Sequence, residues 1–444
     1  MSRIVDSRFT EVHLGTKDAS DAVELEPDRP FHILLVGDFS GRSWREGSSP
    51  SILPRRIDRD NFDEVLNGMK VTLDLHGITL SFREFEDFHP DRIYQSAAIF
   101  QNLDQFLDRG DPVTATSLAA LREVPASGLL DEILAEHDAE RPASVEDVDD
   151  LSAFIRRVTA GHLVSREDPA KQQRAARRQE FATKLLRGIL HHPHMQAIEA
   201  AWRALFMLVR DLDTDGDLKL YILDITLPDL IHEMDAVQEE LRKTGPWAVI
   251  AGNYTFGQSE GDAQVLRRLA GMASSLGAPF LGEARLSEGK EADHAWWELR
   301  RSNEARWLGL ALPRFLLRLP YGKATGAIES FPFEEMAESD HSAYLWGNPA
   351  FFCAHLIGQS FLSHGWEPGR LLARRVDGLP MHVYQEGGEA VAKPCAEIFM
   401  TEQEAESLLE SGFMPLVSIR DEPAAVLVRF QSIAQPLAPL AGLA

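Results

Sequence analysis

Cysteine is scarce in this chain, which contains Cys353 and Cys395 and no others among its 444 residues. Two cysteines cannot build the disulfide framework of a small secreted domain, and neither has a second ligand at zinc-site spacing. The sequence also lacks a G-x-S-x-G elbow, an H-E-x-x-H pair and a recognisable Cys–His dyad. These absences predict a protein that is not an enzyme, has no metal or cofactor, and resides in a reducing compartment.

Long uncharged apolar runs are missing as well. No such run reaches about 18 residues, the length at which a membrane-spanning helix is suspected. The first residues, Met1–Asp6, contain no apolar core of a signal peptide. The sequence therefore predicts a cytoplasmic protein that does not insert directly into a membrane.

Positive charge is the minority charge. The chain has 45 lysines and arginines against 69 aspartates and glutamates, which gives a net charge of −24. An excess of this size repels phosphates and anionic lipids, so we expect no nucleic-acid partner. The 44% hydrophobic and 26% charged content is that of an ordinary globular protein, and 444 residues allow two or three domains.

Three arginines interrupt a long apolar stretch that runs from residue 305 to 322. They are Arg306, Arg314 and Arg318. A membrane helix would not carry three guanidinium groups, because each is costly at bilayer depth. A buried segment can carry them where each arginine meets a carboxylate or a carbonyl. The pattern predicts structural ion pairs in a packed core or a subunit interface.

Two clusters contain the residue types of metal sites. Asp211–Asp217 places acids at the first, third, fifth and seventh positions of a calcium loop, but Ile222 stands where the bidentate glutamate belongs. His191–His194 offers three imidazoles without a second ligand cluster nearby. We interpret the first as an acidic helix-to-strand turn and the second as a helix junction, with metal binding as the alternative for each.

Glycine turns at Gly37 and Gly257 raise the alternative of a nucleotide site. Val36–Arg42 lacks the Lys-Ser/Thr pair of a P-loop and the third glycine of a dinucleotide fingerprint, and residues 253–262 match neither motif. A soluble α/β nucleotide-binding protein is therefore the alternative from a different functional class. The basic run Lys171–Arg178 is interpreted as the solvated face of a helix, with contact to an anionic partner as its alternative.

Hydrophobic periodicity predicts an α/β protein with mixed sheets flanked by helices. Strands are expected at 31–36, 71–76, 78–85, 218–224, 247–252, 414–420 and 425–430. Helices are expected at 60–66, after 87, at 171–210 with a break near Pro193, and at 402–410. The predicted organisation is an N-terminal arm (1–30), a first domain (31–107), a linker with helices (108–170), a second domain (171–433) and a flexible tail (434–444).

Two groups of segments stand out when they are taken together. The first group is Phe31–Arg42, Ile57–Leu66 and Leu80–Arg92. The second group is Leu129–Leu134, Ile189–Leu205, Val249–Phe256, Leu310–Tyr321, Tyr344–Ala350, Ser411–Val417 and Phe430–Ser432. In order and spacing, the first group resembles the small subunit (TssB/VipA) of the contractile sheath of bacterial type VI secretion systems. The second group resembles the large subunit (TssC/VipB), so the resemblance implies a fusion of both.

The resemblance implies a structural protomer that polymerises into a helical tube of stacked hexameric rings and contracts to propel an inner needle. Its partners would be further copies of itself, the needle protein and the baseplate. A second sheath subunit and a recycling AAA+ ATPase are further partners of the family. Sheath-like but non-contractile baseplate or cap components are the alternative within the same apparatus.

Sheath subunits of this family are linked by exchanged terminal strands that add to a neighbour's sheet. The corresponding arms here are residues 3–14 and 426–433. The candidate assembly residues are Arg3, Val5, Val12, Leu14, Arg306, Arg314, Arg318, Val426, Val428 and Phe430. The helix that the ATPase reads in the family corresponds to Leu129, Leu130, Ile133 and Leu134, which lie in mid-chain rather than near an N-terminus.

Overall fold

The computed structural model describes residues 30–44, 50–75, 77–104, 169–286, 292–336, 343–365, 373–386 and 389–443. Most of the predicted N-terminal arm and linker fall outside these ranges. No helix in the described ranges combines the length and the apolar character that crossing a membrane requires.

The described strands share one large sheet and three small ones. They are β1 (Phe31–Gly37), β2 (Arg55–Ile57), β3 (Val71–Leu75), β4 (Ile78–Phe82), β5 (Leu218–Asp224), β6 (Val249–Phe256), β7 (Phe280–Ala284), β8 (Leu308–Leu312), β9 (Phe315–Arg318), β10 (Leu345–Gly347), β11 (Arg375–Asp377), β12 (Val383–Glu386), β13 (Glu389–Ala392), β14 (Met414–Ser418) and β15 (Ala424–Leu427).

The described α-helices cover both faces of the large sheet. They are α1 (Phe62–Met69), α2 (Pro90–Ser96), α3 (Ala98–Gln101), α4 (Pro169–Leu190), α5 (Pro193–Asp211), α6 (Leu227–His232), α7 (Met234–Thr244), α8 (Glu260–Leu276), α9 (His294–Arg300), α10 (Pro349–His364) and α11 (Glu402–Glu410).

The large sheet has nine strands in the order β11-β15-β14-β8-β7-β6-β1-β5-β2. Its central strands, from β14 to β5, run parallel, whereas β2, β11 and β15 pair antiparallel at the two ends. Every residue of β1 is buried, which is typical of a parallel strand covered on both faces. The predicted mixed α/β architecture is confirmed.

Alternate residues of β1 enter two different cores. Ile33 and Leu35 pack with α4, α5 and α10 on one face, whereas Leu34 and Val36 pack with the layer formed by α6, α7, α8 and α9. This alternation follows from the two-residue side-chain period of a strand. The result is a sheet between two helical layers, with α1 to α3 and the β3–β4 hairpin joined to the first layer.

Local signals located several elements correctly. The predicted hairpin around Gly77 is formed by β3 and β4, and Gly77 has a φ of +88°, which favours glycine. The predicted break near Pro193 separates α4 from α5, and Pro193 occupies the first turn of α5, where its missing N–H costs nothing. The helix at 402–410 begins after a capping box at Thr401, as a threonine with a glutamate three residues later indicates.

The predicted division into two domains differs from the structure. Strand β1, from the first predicted domain, lies between β5 and β6 of the second, so both regions build one sheet. The predicted flexible tail also differs, because Leu440 is 2% exposed and the Ala441 N–H donates to the Arg306 carbonyl. Small apolar residues at the end of the chain fill a gap against the core rather than fraying.

Candidate assembly site and its ion pairs

A buried cluster of charges forms where β9 meets α5. Arg318 on β9 is 8% exposed and lies between the carboxylates of Glu199 and Glu335. Its Nε donates to Glu199 Oε1 at 2.6 Å, and its Nη1 donates to Glu335 Oε2 at 2.7 Å. Its Nη2 donates to the second oxygen of each carboxylate, at 3.2 and 3.0 Å. Two-point contacts of this kind are the strongest that a guanidinium makes with a carboxylate.

A second arginine neutralises the extra negative charge of the two carboxylates. Arg203 lies one turn after Glu199 on α5 and donates from Nε to Glu199 Oε1 at 2.7 Å. Its Nη2 donates to the Tyr321 hydroxyl at 2.9 Å, and the Tyr321 ring centre lies 4.6 Å from the Arg318 guanidinium. Arg203, Arg318, Glu199 and Glu335 therefore form a four-charge cluster of no net charge, which limits the cost of removing them from water.

Glu335 and Arg318 stay ionised at ordinary pH. Burial alone would raise the pKa of Glu335, but Arg318 and the His191 ring outweigh burial and lower that pKa to about 2. Burial would likewise lower the pKa of Arg318, and the two carboxylates raise it well above its usual value. Removing one member would leave its partners charged in a buried place, which proteins tolerate poorly.

The other two arginines of the apolar segment have different surroundings. Arg314 makes a two-point ion pair with Glu397, with Nη2–Oε1 at 2.5 Å and Nε–Oε2 at 2.8 Å, and both side chains are partly exposed. Arg306 is exposed and has no carboxylate within ion-pair distance in the described part of the chain. The predicted ion pairing is thus seen for Arg314 and Arg318. It differs at Arg306, which lies in a short 3-10 helix before β8.

The loop that follows Arg318 is hydrogen-bonded to α2, which belongs to the first predicted domain. The backbone N–H groups of Glu329 and Ser330 donate to the two carboxylate oxygens of Asp91 on α2, at 2.9 and 2.8 Å. Burial alone would raise the pKa of Asp91, but these hydrogen bonds lower it. The His89 ring packs edge-on against Tyr321 at 5.0 Å. The four-charge cluster therefore stands at the joint between the two regions that the sequence analysis separated.

The turn after β1, which the sequence offered as a phosphate site, is filled by the chain itself. Asp224, at the end of β5, accepts hydrogen bonds from the Phe39 and Ser40 backbone N–H groups at 2.8 and 3.1 Å. The Ser40 hydroxyl donates to the same carboxylate at 2.6 Å. Burial raises the pKa of Asp224, and these hydrogen bonds oppose that rise. The amide groups that could cradle a phosphate are occupied by a carboxylate.

Packing accounts for both glycines of the candidate nucleotide turns. A Cβ added to Gly37 would lie 2.7 Å from the Cβ of Asn253, and one added to Gly257 would lie 2.9 Å from an Asp262 oxygen. Asp262 in turn completes a capping box with Ser259 at the start of α8. Neither glycine needs a ligand to explain it, which removes the sequence argument for a nucleotide site.

Replacing Asp224 by alanine should lower the free energy of unfolding by about 2–4 kcal/mol, because two N–H groups and a hydroxyl lose their acceptor. Added inorganic phosphate should restore part of the loss, since an anion that binds the vacated amides stabilises the folded state. Asp224→Asn keeps one acceptor oxygen and is the milder control. Urea unfolding with and without phosphate measures both effects, and an unchanged midpoint for Asp224→Ala would contradict this assignment.

The two candidate metal clusters have structural roles. His192 caps α5 by accepting from the His194 N–H at 3.2 Å, and the His194 ring stacks on Trp44 at 4.0 Å. At the acidic turn between α5 and β5, Asp211 pairs with Arg210 and lies 3.4 Å from the buried His355 ring. Within the described ranges, no group of three or more His, Cys, Asp or Glu side chains is arranged to hold a metal ion.

The C-terminal assembly candidates are part of the chain's own sheet rather than a free arm. Val426 lies in β15, opposite Val417 on one side and Arg375 on the other. The Val428 N–H donates to the Pro415 carbonyl at 2.9 Å, and Phe430 packs partly buried against the core. An exchange of this strand would first have to break these bonds. Arg3, Val5, Val12, Leu14, Leu129, Leu130, Ile133 and Leu134 lie outside the described residues.

Free strand edges differ in their ability to accept another strand. The nine-stranded sheet ends in β2 and β11, which are three residues long and carry exposed charges such as Arg56 and Arg375. Short, charged edges resist the addition of a strand. The β12–β13 hairpin is instead a separate two-stranded sheet with Val383 52% exposed. A two-stranded sheet is marginally stable by itself, so this hairpin is the better acceptor in the described structure.

The sequence analysis missed Glu199 and Glu335 as the partners of Arg318. A usable signal existed for Glu199, which lies on the apolar stripe of α5 between Met195 and Trp202 at helical spacing. A glutamate within such a stripe indicates a buried, paired carboxylate. No comparable pattern marks Glu335, because it lies in an irregular loop.

Two protein-family models match this chain over different ranges of residues. Residues 174–288 and 285–434 match the VipB family model, described as EvpB/VC_A0108, tail sheath N-terminal domain. Residues 10–139 match the model described as Type VI secretion system, VipA, VC_A0107 or Hcp2. The two matches fall in the order that the resemblance predicted.

A curated relative extends this comparison to an individual protein. The type VI secretion system sheath protein TssC1 of Pseudomonas aeruginosa strain PAO1 is 32% identical to this chain over 289 residues. The aligned part is 56% of this chain and 58% of TssC1, so the chain spans well under two thirds of that relative's length.

Proposed function

Because this chain belongs to the tail sheath family of type VI secretion systems, we propose that it is a structural protomer of the contractile sheath. In this proposal, copies of the chain polymerise into a helical tube around the inner needle and contract to propel it. The observation that carries the proposal is the position of β1. A strand from the VipA-matching region lies between two strands of the VipB-matching region, so the two regions fold together in one chain.

The core that the two regions share suits a protomer that must move as one rigid body. A protomer of a contracting wall must move as one body, and β1 contributes to both cores of the sheet. The four-charge cluster and the Asp91 contacts add directional bonds at the same joint. Paired charges of this kind fix one arrangement of the joined elements, because any other arrangement would strand a buried charge.

Contact between protomers is proposed to use strand addition at the β12–β13 hairpin. The donor would be the N-terminal arm with Arg3, Val5, Val12 and Leu14, since main-chain hydrogen bonds can hold bodies together while they slide or rotate. The needle protein, the baseplate, a second sheath subunit and an AAA+ ATPase are proposed partners from the family. The cytoplasm is the proposed location.

Electron microscopy of the chain expressed with its needle protein tests the proposal. We expect hollow tubes of stacked rings for the full chain. Deletion of residues 2–15 should leave folding and the melting temperature unchanged but abolish the tubes. A control in which residues 16–24 are replaced by glycine and serine keeps the predicted strand and should still assemble. Tubes formed by the truncated chain would refute the strand role of the arm.

A non-contractile baseplate or cap component is the second candidate. It is favoured by the position of Val426, whose strand is locked between two others of its own chain instead of being available for exchange. This candidate predicts discrete particles of defined size rather than tubes under the same conditions. Tubes that shorten and widen on mechanical or chemical triggering would exclude it.

A further inference from the structure

The first turns of α4 form an exposed basic surface in the described part of the chain. Residues 171–180 are exposed on every face of the helix. This segment carries Lys171, Arg174, Arg177 and Arg178. Asp104 lies near Arg174 and Arg178, at 3.6 and 3.3 Å, and is itself half exposed. The described contacts of this segment are polar, such as the Gln179 side chain donating to the Pro332 carbonyl at 3.2 Å, so an apolar and acidic partner surface would add to its stability.

A second surface, at the start of α11, has the opposite charge. Ile398 and Phe399 precede the helix and are 56% and 62% exposed. Glu402, Glu406 and Glu410 follow at intervals of four residues, all exposed, so they form one row along the helix. Within the described ranges no lysine or arginine pairs with this row, and neighbouring like charges at this spacing repel one another. An exposed aromatic residue beside a charged row is typical of an interface.

These two surfaces are complementary in length and charge. Lys171, Arg174 and Arg178 lie on one face of α4 and span about 10 Å, whereas the glutamate row of α11 spans about 12 Å. Ala175, four residues after Lys171, lies on the same exposed face, and Phe399 is exposed beside the glutamate row. The glutamates can each meet a basic residue while the ring is removed from water.

We propose that the α11 surface of one copy docks on the basic α4 surface of a second copy. The occupant is a second copy because the chain presents both members of an oppositely charged pair of rows, and both rows are exposed. A contact between two different surfaces of identical chains continues from copy to copy, into a closed ring or a helical polymer. The inference rests on the proposed function, because it assigns one of the contacts between copies in the sheath.

Charge reversal tests the contact. Lys171→Glu/Arg178→Glu changes two residues of the basic row, and Glu406→Lys/Glu410→Lys changes the opposite row. Each double variant should raise the concentration at which pelletable polymer forms by about tenfold or more, since two attractive pairs become repulsive. Arg267→Glu/Arg268→Glu, on exposed positions of α8, makes the same charge change elsewhere and should have little effect.

Mixing the two reversed variants gives the decisive result. Each chain's reversed surface then meets the complementary reversed surface of the other, so assembly should return to the wild-type concentration range. Combining all four substitutions in one chain should restore self-assembly as well. Failure of both combinations to restore assembly would overturn the proposed contact. A wild-type chain that forms no polymer would instead count against the proposed function.

A cross-linking experiment tests the same contact without any polymer. Ala175→Cys and Gln403→Cys would be placed in separately tagged chains and mixed under mild oxidation. The native Cys353 and Cys395 are buried, and burial raises the pKa of the Cys395 thiol to about 11, so neither should compete. A disulfide between the two tagged chains is expected, with Arg268→Cys replacing Ala175→Cys as the negative control. Absence of that disulfide at every protein concentration would overturn the contact.

Discussion

Replacing Arg318 by alanine is expected to lower the free energy of unfolding by about 3–5 kcal/mol, the usual cost of breaking a buried ion pair from one side. Glu199 would keep Arg203, but Glu335 would keep only the Tyr321 N–H and the more distant His191 ring. Arg318→Glu, which places a third negative charge among them, should prevent folding altogether. Urea unfolding of the purified protein measures the effect for the alanine variant.

The three arginines of the apolar segment provide an internal comparison. Arg314→Ala removes a partly exposed pair and should cost about 1 kcal/mol or less, whereas Arg306→Ala at an exposed position should change stability by less than about 0.5 kcal/mol. The expected order of losses is therefore Arg318, then Arg314, then Arg306. Equal losses for all three would show that burial does not decide the energetics of this segment.

The pH dependence of Arg318→Ala identifies the charge that is responsible. In the intact chain the pKa of Glu335 is about 2, below its unfolded value, so this pair contributes stability above about pH 4.5 and loses it as pH falls towards 2. Without Arg318, its lowering effect on the pKa of Glu335 is gone while burial still acts to raise that pKa, so the variant should lose less stability than the intact chain as pH falls. The difference between the two proteins should therefore be larger at pH 7 than at pH 4. A constant difference would point to lost packing rather than a stranded carboxylate.

The sequence located these elements where local signals were strong. The largely apolar run at Phe31–Gly37 indicated a buried strand, Pro193 indicated the break between α4 and α5, and periodicity indicated the helix at 402–410. It placed arginines in a core and required them to be paired, which the structure bears out for Arg318 and Arg314. These inferences succeed because they depend on neighbouring residues and on general costs of burial.

Pairing between segments that are remote in sequence could not be predicted. Nothing near Phe31 indicates that its strand lies between β5 and β6, whose sequences begin far along the chain. For the same reason a glycine turn after a strand was weighed as a phosphate site, although Asp224 from another strand fills it. The tail was predicted to be flexible because its partner, Arg306, is also remote in sequence, whereas the arm at Val426 was expected from the family resemblance.

Truncating Trp202 to alanine is expected to lower the free energy of unfolding by about 3–5 kcal/mol, as large core truncations do. Trp202 on α5 is fully buried and packs edge-on against Phe39 and Phe62, with ring centres 6.0 and 5.5 Å away. Its indole N–H also donates to the Phe39 carbonyl at 2.8 Å. One side chain from the VipB-matching region thus fills the core of the VipA-matching region.

Because Trp202 joins the two regions, its loss should also loosen one of them selectively. Amide hydrogen exchange should speed up most in α1 and the β3–β4 hairpin, and less in β6 and β7 on the far side of β1. Trp202→Phe keeps most of the ring but loses the hydrogen bond, so it should cost about 1–2 kcal/mol. Trp297→Ala, at a tryptophan that is 38% exposed, is the matched control and should unfold at nearly the wild-type urea concentration. Uniform acceleration of exchange across the whole sheet would show that the two regions unfold as one unit and that Trp202 is an ordinary core residue rather than the joint between them.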